Sequence, residues 1–348
     1  MMAGSSLRVA LLGCGRISRN HFEAIASTPG VELSAVCDVI PERADAAARA
    51  LGVPAFTSYE EMLRDATCDI VSVTTPSGLH PVHAEMAARS GKHVVCEKPM
   101  AISIEAADAM MRVCDEAGVR LFVVMQNRLN PAVQLLRRAI DKGRFGRIYT
   151  VNSTVRWTRP QEYYDQADWR GTWALDGGAI MNQASHYVDL MQWLGGPVES
   201  VMAYTATLAR QIEAEDTGVA VMRYRSGALG VLEVTMLTHP KNLEGSVTIL
   251  GEFGSVKIGG TAVNKVEHWE FADYDDDDKR VDAAATNPLN VYGFGHQGYY
   301  RNVVAALQGK APPDTDGVSG RASLELILAT YASAREGRRV ELPRLPDR

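Results

Sequence analysis

The residues best suited to chemistry are Glu97, Lys98 and Pro99, which follow a short apolar run at 94–96. The run is typical of a buried strand, and in an open parallel sheet the carboxyl end of a strand faces the ligand crevice. A lysine held in such a partly desolvated place can lose its proton near neutral pH. We therefore predict that Lys98 acts in proton transfer, with Pro99 fixing the backbone after it.

A second polar group, Asn182, His186 and Asp189, has the spacing of one helical face within a helix predicted over 179–194. An amide and an imidazole on one face suit a substrate hydroxyl, because the amide can position it and the imidazole can exchange its proton. The alternative is a histidine satisfied within the core. A metal site needs more ligands than His186 and Asp189 supply, so we predict no metal.

A glycine turn occupies the place of a dinucleotide-binding turn. Gly13 and Gly15 lie between an apolar run at 7–12, typical of a strand buried on both faces, and a predicted helix at 17–26. Gly13 would allow the tight turn, and Gly15 would let the backbone approach a pyrophosphate at the helix N-terminus. Ser18 replaces the third glycine and is small enough for close helix–strand packing.

Asp38 ends the next predicted strand, at 33–37. An acid there accepts hydrogen bonds from the adenosine ribose hydroxyls and repels a 2′-phosphate, which favours NAD over NADP. Arg43 lies nearby and complicates this preference for NAD, and it is a further candidate for contact with the coenzyme. The alternative is that Asp38 only caps the helix beginning near Pro41.

Strand and helix alternate regularly through the first part of the chain, which predicts an α/β fold with an N-terminal Rossmann domain, a doubly wound parallel sheet, over 1–126. After residue 146, consecutive strands with short turns predict a C-terminal α/β domain, over 127–348, with a large, mostly antiparallel open sheet. The last helices are expected to pack back on the first domain. A broad sheet needs its outer face covered, so we predict a homo-oligomer that packs through it.

Arginine and aromatic residues concentrate at 156–173, a composition suited to phosphate, carboxylate and ring stacking. We predict an anionic substrate held by Arg159 and Tyr163, the alternative being an ordinary interface loop. The acidic run at 273–279 is interpreted as a self-repelling, solvated loop.

Composition excludes several classes of protein. The 348 residues carry a formal net charge of −6 and no basic stripe, so nucleic acid is not an expected partner. No apolar run is long enough for a membrane helix, and the N-terminus lacks the pattern of a signal peptide. Five scattered cysteines without CxxC spacing favour a reducing cytoplasm.

Together these residues resemble the Gfo/Idh/MocA family of oxidoreductases, which includes glucose–fructose oxidoreductase and inositol dehydrogenase. The resemblance covers nearly the whole chain, and its most specific part is Glu97-Lys98-Pro99. The second half looks most like the WlbA-type enzymes of that family, at 157–164 and 182–186. The motifs that carry the family resemblance are 13–17, Asp38, Thr75-Pro76 with His80, Glu97-Lys98-Pro99, and Gly177-Gly178 with His186.

The resemblance implies that Lys98 and His186 form the catalytic pair and that the Lys98–Pro99 bond is cis. Many family members have an aspartate where this chain has Asn182, so a carboxylate–histidine dyad is absent and proton transfer falls on Lys98 or His186. The implied substrate-binding residues are Lys98, Arg159, Tyr163, Asn182 and His186. The implied coenzyme-binding residues are Gly13, Gly15, Arg16, Ile17, Asp38, Arg43, Thr75, Pro76, His80, Glu97, Lys98 and Gln126.

The resemblance also implies a function: NAD-dependent oxidation of UDP-N-acetyl-2-amino-2-deoxyglucuronate (UDP-GlcNAcA) at the C3 hydroxyl, in bacterial lipopolysaccharide O-antigen biosynthesis. The enzyme would be a cytoplasmic homotetramer. One alternative is a dehydrogenase of a free polyol or sugar such as inositol. An alternative of another class is a non-catalytic NAD-sensing or scaffold protein.

Overall fold

The structure is a computed structural model that describes residues 6–285 and 295–342. These residues form two compact units. The first comprises 6–125 and 296–321, and the second comprises 126–285, 295 and 322–342. No helix within these ranges is long and apolar enough to cross a membrane.

The first unit contains a six-stranded sheet in which every pairing is parallel, with the order β3-β2-β1-β4-β5-β6. Residues 9–12 are fully or almost fully buried, as the apolar run predicted. The order is that of a doubly wound Rossmann sheet, so the predicted fold of this part is confirmed. Its strands are β1 (Leu7–Leu12), β2 (Val31–Cys37), β3 (Ala55–Phe56), β4 (Ile70–Val73), β5 (His93–Cys96) and β6 (Leu121–Val123).

Helices alternate with these strands: α1 (Ser18–Ala26), α2 (Pro41–Leu51), α3 (Tyr59–Asp65), α4 (His80–Arg89) and α5 (Ile104–Glu116). Serine side chains start two of them. The Ser58 hydroxyl accepts from the Glu61 N–H at the start of α3, and the Ser103 hydroxyl accepts from the Ala106 N–H at the start of α5. Each satisfies one of the backbone donors that a helix leaves open at its first turn.

The second unit contains an eight-stranded sheet in which six of the seven pairings are antiparallel and one, β7 with β10, is parallel. The mostly antiparallel prediction is therefore confirmed, but β7 lies in the middle of the sheet rather than at the start of a meander. The sheet order is β13-β12-β11-β7-β10-β9-β8-β14. Its strands are β7 (Ile148–Arg156), β8 (Val198–Ala206), β9 (Thr217–Tyr224), β10 (Leu229–Thr235), β11 (Glu244–Gly251), β12 (Gly254–Gly259), β13 (Lys265–Phe271) and β14 (Val340–Glu341).

The helices of the second unit are α6 (Pro131–Asp141), α7 (Gln161–Tyr164), a π-helix (Ala179–Gln183), α8 (Ser185–Gly195) and α9 (Val281–Ala284). The chain then forms α10 (Gly295–Leu307) and α11 (Gly317–Glu336). Along β9, buried and exposed residues alternate, so one face of the sheet is covered and the other is exposed.

The acidic run at 273–279 is not the self-repelling, solvated loop that the sequence suggested. Lys142 Nζ lies 2.9 Å from an oxygen of Asp277, and Arg144 donates to both oxygens of Asp278. The cations lie just beyond the end of α6, far away in sequence, so composition alone gave no sign that they would neutralise the loop.

Candidate active site

The turn after β1 needs glycine at position 13 because of its own protein neighbours. Gly13 has a φ of +99°, and a Cβ there would lie 2.8 Å from the Thr74 carbonyl oxygen. A Cβ at Gly15 would instead meet no atom of the described chain within 4 Å. Among the residues that the structure describes, none fills the space beside Gly15, which leaves room for a ligand to approach the backbone.

Buried Asp38 joins two backbone segments. Its Oδ2 accepts from the Cys14 N–H at 2.8 Å, and its Oδ1 accepts from the Ile40 N–H at 2.9 Å. Ile40 is the N-cap residue of α2, so the capping alternative accounts for one bond, while the other holds the glycine turn. Each carboxylate oxygen can accept a second hydrogen bond, so Asp38 retains the capacity to bind ribose hydroxyls.

The remaining residues of this turn lie nearer the surface. Arg16 and Arg43 are exposed, and Ile17 is half-buried at the N-cap position of α1. Ser18 is buried, and its hydroxyl donates to the Gly15 carbonyl oxygen at 2.7 Å. The hydroxyl therefore stabilises the turn, which a third glycine could not do.

The loop after β4 is held by His80, which is almost fully buried. Its Nε2 lies 2.8 Å from the Thr75 carbonyl oxygen and its Nδ1 lies 2.7 Å from the Pro99 carbonyl oxygen. Burial lowers the pKa of His80, although both carbonyl contacts oppose that effect. His80 thus links the loop that carries Thr75 and Pro76 to the loop that carries Pro99.

Glu97 is buried in a cluster with two histidines. His21 Nε2 lies 2.9 Å and His296 Nε2 lies 3.9 Å from Glu97 Oε1. Burial alone would raise the pKa of Glu97, but its contacts with the two histidines hold that pKa well below its usual range. The ligand atoms of the three residues all lie within 4.8 Å of one another, close enough for a metal ion, so the absence of a metal stays a prediction.

Lys98 follows Glu97 and is half-buried. Its backbone N–H donates to Glu97 Oε2 at 3.1 Å, so the buried cluster also fixes the backbone of the lysine. The Lys98–Pro99 bond is cis, as the resemblance implied. Gln126, the last of the predicted coenzyme-binding residues, is buried at the start of the second unit.

In the second unit, Asn182 and His186 do not share one continuous α-helix. Asn182 lies in the π-helix, and His186 lies in the first turn of α8 after a break at Ala184. A π-helix widens the turn, so the spacing of four residues no longer defines a single face. The local sequence is compatible with either geometry, which explains the difference.

Asp189 contacts other residues than the sequence analysis considered. Arg128 donates to both of its oxygens, from Nε at 2.7 Å and from Nη2 at 2.5 Å, and the Ser323 hydroxyl donates at 2.8 Å. The pair is almost completely buried. Asp189 therefore belongs to a structural ion pair rather than to a dyad with His186.

Gln183, which the sequence analysis missed, connects three of the predicted substrate-binding residues. Its side-chain oxygen accepts from Arg159 Nε at 2.9 Å, and its Nε2 donates to the Tyr163 hydroxyl at 3.1 Å and to Asn182 Oδ1 at 3.3 Å. Arg159 also lies over the Tyr163 ring, 5.3 Å from its centroid. The structure thus brings Arg159, Tyr163 and Asn182 together, and Arg170 also lies over the Tyr163 ring, 4.4 Å from its centroid.

Buried Asp176 is a second residue that the sequence analysis missed. It accepts a hydrogen bond from Asn182 Nδ2 and another from the Gly171 N–H at 2.7 Å. A carboxylate accepts only, so this bond fixes the amide with its nitrogen toward Asp176 and Oδ1 as the acceptor. The sequence offered one signal for Asp176, which is that it directly precedes Gly177 and Gly178, the glycine pair of the family motif.

Two family models match the chain: "Oxidoreductase family, NAD-binding Rossmann fold" over residues 7–125, and "Oxidoreductase family, C-terminal alpha/beta domain" over residues 137–342. The chain belongs to the Gfo/Idh/MocA oxidoreductase family. The predictions of an oxidoreductase and of NAD as coenzyme are thereby confirmed, and the scaffold alternative is not supported.

Among solved structures, the WlbA dehydrogenase of Bordetella pertussis in complex with NADH and UDP-GlcNAcA is 56% identical, with a TM-score of 0.95 over 99% of this chain and 100% of that one. The WlbA dehydrogenase of Chromobacterium violaceum, with the same two ligands, is 54% identical, with a TM-score of 0.92 over 99% of each chain. The D-apiose dehydrogenase of Paraburkholderia graminis is 30% identical over 97% of this chain and 90% of that protein. The myo-inositol 2-dehydrogenase of Thermotoga maritima is 26% identical over 97% and 98%.

Proposed function

We propose that the protein is an NAD-dependent dehydrogenase that oxidises the C3 hydroxyl of UDP-GlcNAcA to the 3-keto sugar. The observation that carries the proposal is the full-length similarity to two WlbA dehydrogenases solved with NADH and UDP-GlcNAcA. The cluster of Arg159, Tyr163 and Gln183 fits the same ligand class, because guanidinium groups among aromatic rings suit phosphate, carboxylate and a base.

The first unit fits NAD. Gly13 makes the turn, Gly15 leaves its Cβ side open for the pyrophosphate, and Asp38 has acceptor capacity left for the ribose hydroxyls. When bound, NAD accepts the hydride from the substrate carbon. The further residues assigned to the coenzyme are Arg16, Ile17, Arg43, Thr75, Pro76, His80, Glu97, Lys98 and Gln126.

We assign removal of the hydroxyl proton to Lys98 and His186, because an amine and an imidazole can each accept a proton in the neutral form. Glu97 holds the backbone of Lys98 through its hydrogen bond. Asn182, with Oδ1 fixed as the acceptor, would receive a hydrogen bond from a polar group of the sugar beside C3 and so orient the substrate, which leaves the single proton of the C3 hydroxyl for Lys98 and His186. Positioning of this kind supplies a large part of an enzymatic rate.

Replacing Lys98 by Met tests this assignment. We expect turnover to fall by about 10²-fold or more, because the proton acceptor is lost, while NADH still binds, because the glycine turn and Asp38 are intact. NADH binding is followed by fluorescence, and the exposed Lys310→Met variant of the same unit is the control. Full activity in the Lys98→Met variant would remove Lys98 from the mechanism.

The substrate is tested by following NADH absorbance with UDP-GlcNAcA, with UDP-GlcNAc, which lacks the carboxylate, and with myo-inositol. We expect turnover with UDP-GlcNAcA and little with the other two. Assays with and without 2-oxoglutarate show how NAD is regenerated. A steady rise in NADH absorbance without 2-oxoglutarate means that NADH leaves the enzyme and exchanges. A rise limited to one equivalent of enzyme means that NADH stays bound. Turnover of myo-inositol but not of UDP-GlcNAcA would show that the proposed substrate is wrong.

We propose further that the protein is a homotetramer that packs through the exposed face of the second sheet. Met202, Val221 and Val231 lie side by side on β8, β9 and β10 in paired registers, and all three are exposed. An apolar row of this kind on a sheet face is typical of an interface. From the same proposed substrate we infer a cytoplasmic enzyme of surface polysaccharide biosynthesis, specifically that of lipopolysaccharide O-antigen.

A further inference from the structure

The carboxylate of Glu215 lies at the start of the π-helix and is 3% exposed. Its Oε1 accepts from the Ile180 N–H at 2.8 Å and from the Tyr331 hydroxyl at 2.8 Å. The Tyr331 oxygen in turn accepts from the Met181 N–H at 3.0 Å, and the Glu215 carbonyl oxygen accepts from the Ala179 N–H at 2.9 Å. Glu215 and Tyr331 therefore hold three consecutive backbone donors that the first turn of a helix leaves open.

The glycine pair before the π-helix fits the same arrangement. A Cβ at Gly178 would lie 1.7 Å from Glu215 Oε2, so only glycine leaves room for the carboxylate. Gly177 has a φ of +77°, and a Cβ there would lie 2.5 Å from the Met181 Cβ. Gly178 thus leaves room for the Glu215 carboxylate beside the backbone of the π-helix, and Gly177 supplies the left-handed backbone and the close approach to Met181 just before it.

The π-helix carries Asn182, and α8, which carries His186, begins directly after it. Any shift of the π-helix would therefore move the amide and the imidazole that the proposed function assigns to the substrate. We propose that Glu215 and Tyr331 are positioning residues, which fix the π-helix and through it place Asn182 and His186 for the reaction. This inference rests on the proposed function for its catalytic consequence.

Two substitutions at one position give the first test. Glu215→Leu removes the acceptor, and we expect kcat with UDP-GlcNAcA to fall by about 10- to 100-fold, as misplacement of reacting groups does, with the KM for NAD unchanged. Glu215→Gln keeps an oxygen acceptor for Ile180 and Tyr331, and we expect it to retain kcat within about twofold. The exposed Glu199→Gln variant is the control. Equal kcat in the Leu and Gln variants would overturn the inference.

Gly178 provides a second test that leaves Glu215 in place. Gly178→Ala should lower kcat in the wild-type background, because its Cβ displaces the carboxylate. In a Glu215→Ala background, which removes the obstructed group, the same change should have little further effect. If Gly178 and Glu215 acted independently, the losses in kcat, expressed as free energies, would add in the double variant. Such additivity would contradict the inference.

Hydrogen–deuterium exchange of peptides covering 179–186 completes the test without substrate. We expect faster exchange in Glu215→Leu and in Tyr331→Phe, near-native exchange in Glu215→Gln, and unchanged exchange in the glycine-turn peptide at 13–18. Unchanged exchange at 179–186 in Glu215→Leu overturns the inference whatever the wild-type activity is. Faster exchange there, with a wild type that does not oxidise UDP-GlcNAcA, overturns the proposed function and leaves the positioning of this segment supported.

Discussion

The substitution Glu215→Gln should remove a pH dependence of stability that the wild type has. Burial raises the pKa of Glu215 from 4.5 to about 7. The folded protein therefore holds this proton more tightly than the unfolded chain does. The stabilising contribution is fully present below the unfolded pKa and is lost as pH rises through about 7. A glutamine has nearly the same shape as the protonated acid and does not titrate.

The magnitude follows from the pKa change. A rise of about 2.5 corresponds to ~3.4 kcal/mol, of which about 2.5 kcal/mol falls between pH 5 and pH 8. We expect the stability of Glu215→Gln relative to wild type to increase by about that amount over this range. Neighbouring groups titrate in both proteins, so the difference between the two isolates Glu215.

Urea unfolding followed by tryptophan fluorescence measures this difference. All five tryptophans lie at 157–269, within the second unit that also holds Glu215, so the signal reports the relevant part of the molecule. Protein concentration must be fixed because assembly affects apparent stability. Glu199→Gln, an exposed substitution in the same unit, should show no such trend. A constant difference between wild type and Glu215→Gln from pH 5 to pH 8 would refute the argument.

Four further substitutions have distinct expected outcomes. Gly15→Ala should fold with a normal melting temperature and lose about tenfold or more in NADH affinity, measured by fluorescence titration. Gly13→Ala should instead destabilise the protein by about 1–3 kcal/mol, because its backbone is left-handed and its Cβ would contact Thr74 closely. Equal melting temperatures for the two variants would contradict this difference. Asp189→Asn should lower the free energy of unfolding in urea by about 3–5 kcal/mol, because it leaves Arg128 buried beside a neutral amide. A decrease below about 1 kcal/mol would show that the ion pair is not structural. Val221→Lys should shift the assembly to smaller species in analytical ultracentrifugation, since it places a charge in the middle of the apolar row, and an unchanged sedimentation coefficient would place the interface elsewhere.

Local patterns in the sequence predicted the first unit well. Residues 9–12 of the first apolar run are fully or almost fully buried, in a strand that pairs with a neighbour on each side, and Gly13 adopts the positive φ that the tight turn required. Asp38 bonds to the Cys14 N–H, a contact between two loops that the strand order of a doubly wound sheet makes predictable.

The second unit was harder to predict because its important contacts join segments far apart in sequence. The contact of Glu215 with Ile180 depends on how a strand connection packs against the π-helix, which no local periodicity encodes. The acidic loop is neutralised from the end of α6, and Asp189 contacts Arg128 instead of its helical neighbour His186. The π-helix itself has an ordinary helical sequence, and Glu215 and Tyr331, which bond its first backbone N–H groups, come from segments far away in sequence.

The most direct test of the central claim uses UDP-GlcNAcA carrying deuterium at C3. The protein is mixed with NAD and this substrate, and the reduced coenzyme is analysed by mass spectrometry. We expect reduced coenzyme that carries the deuterium, because the hydride leaves C3. Reduced coenzyme without deuterium would show that another carbon is oxidised, and no reduced coenzyme at all would contradict the assignment of UDP-GlcNAcA as the substrate.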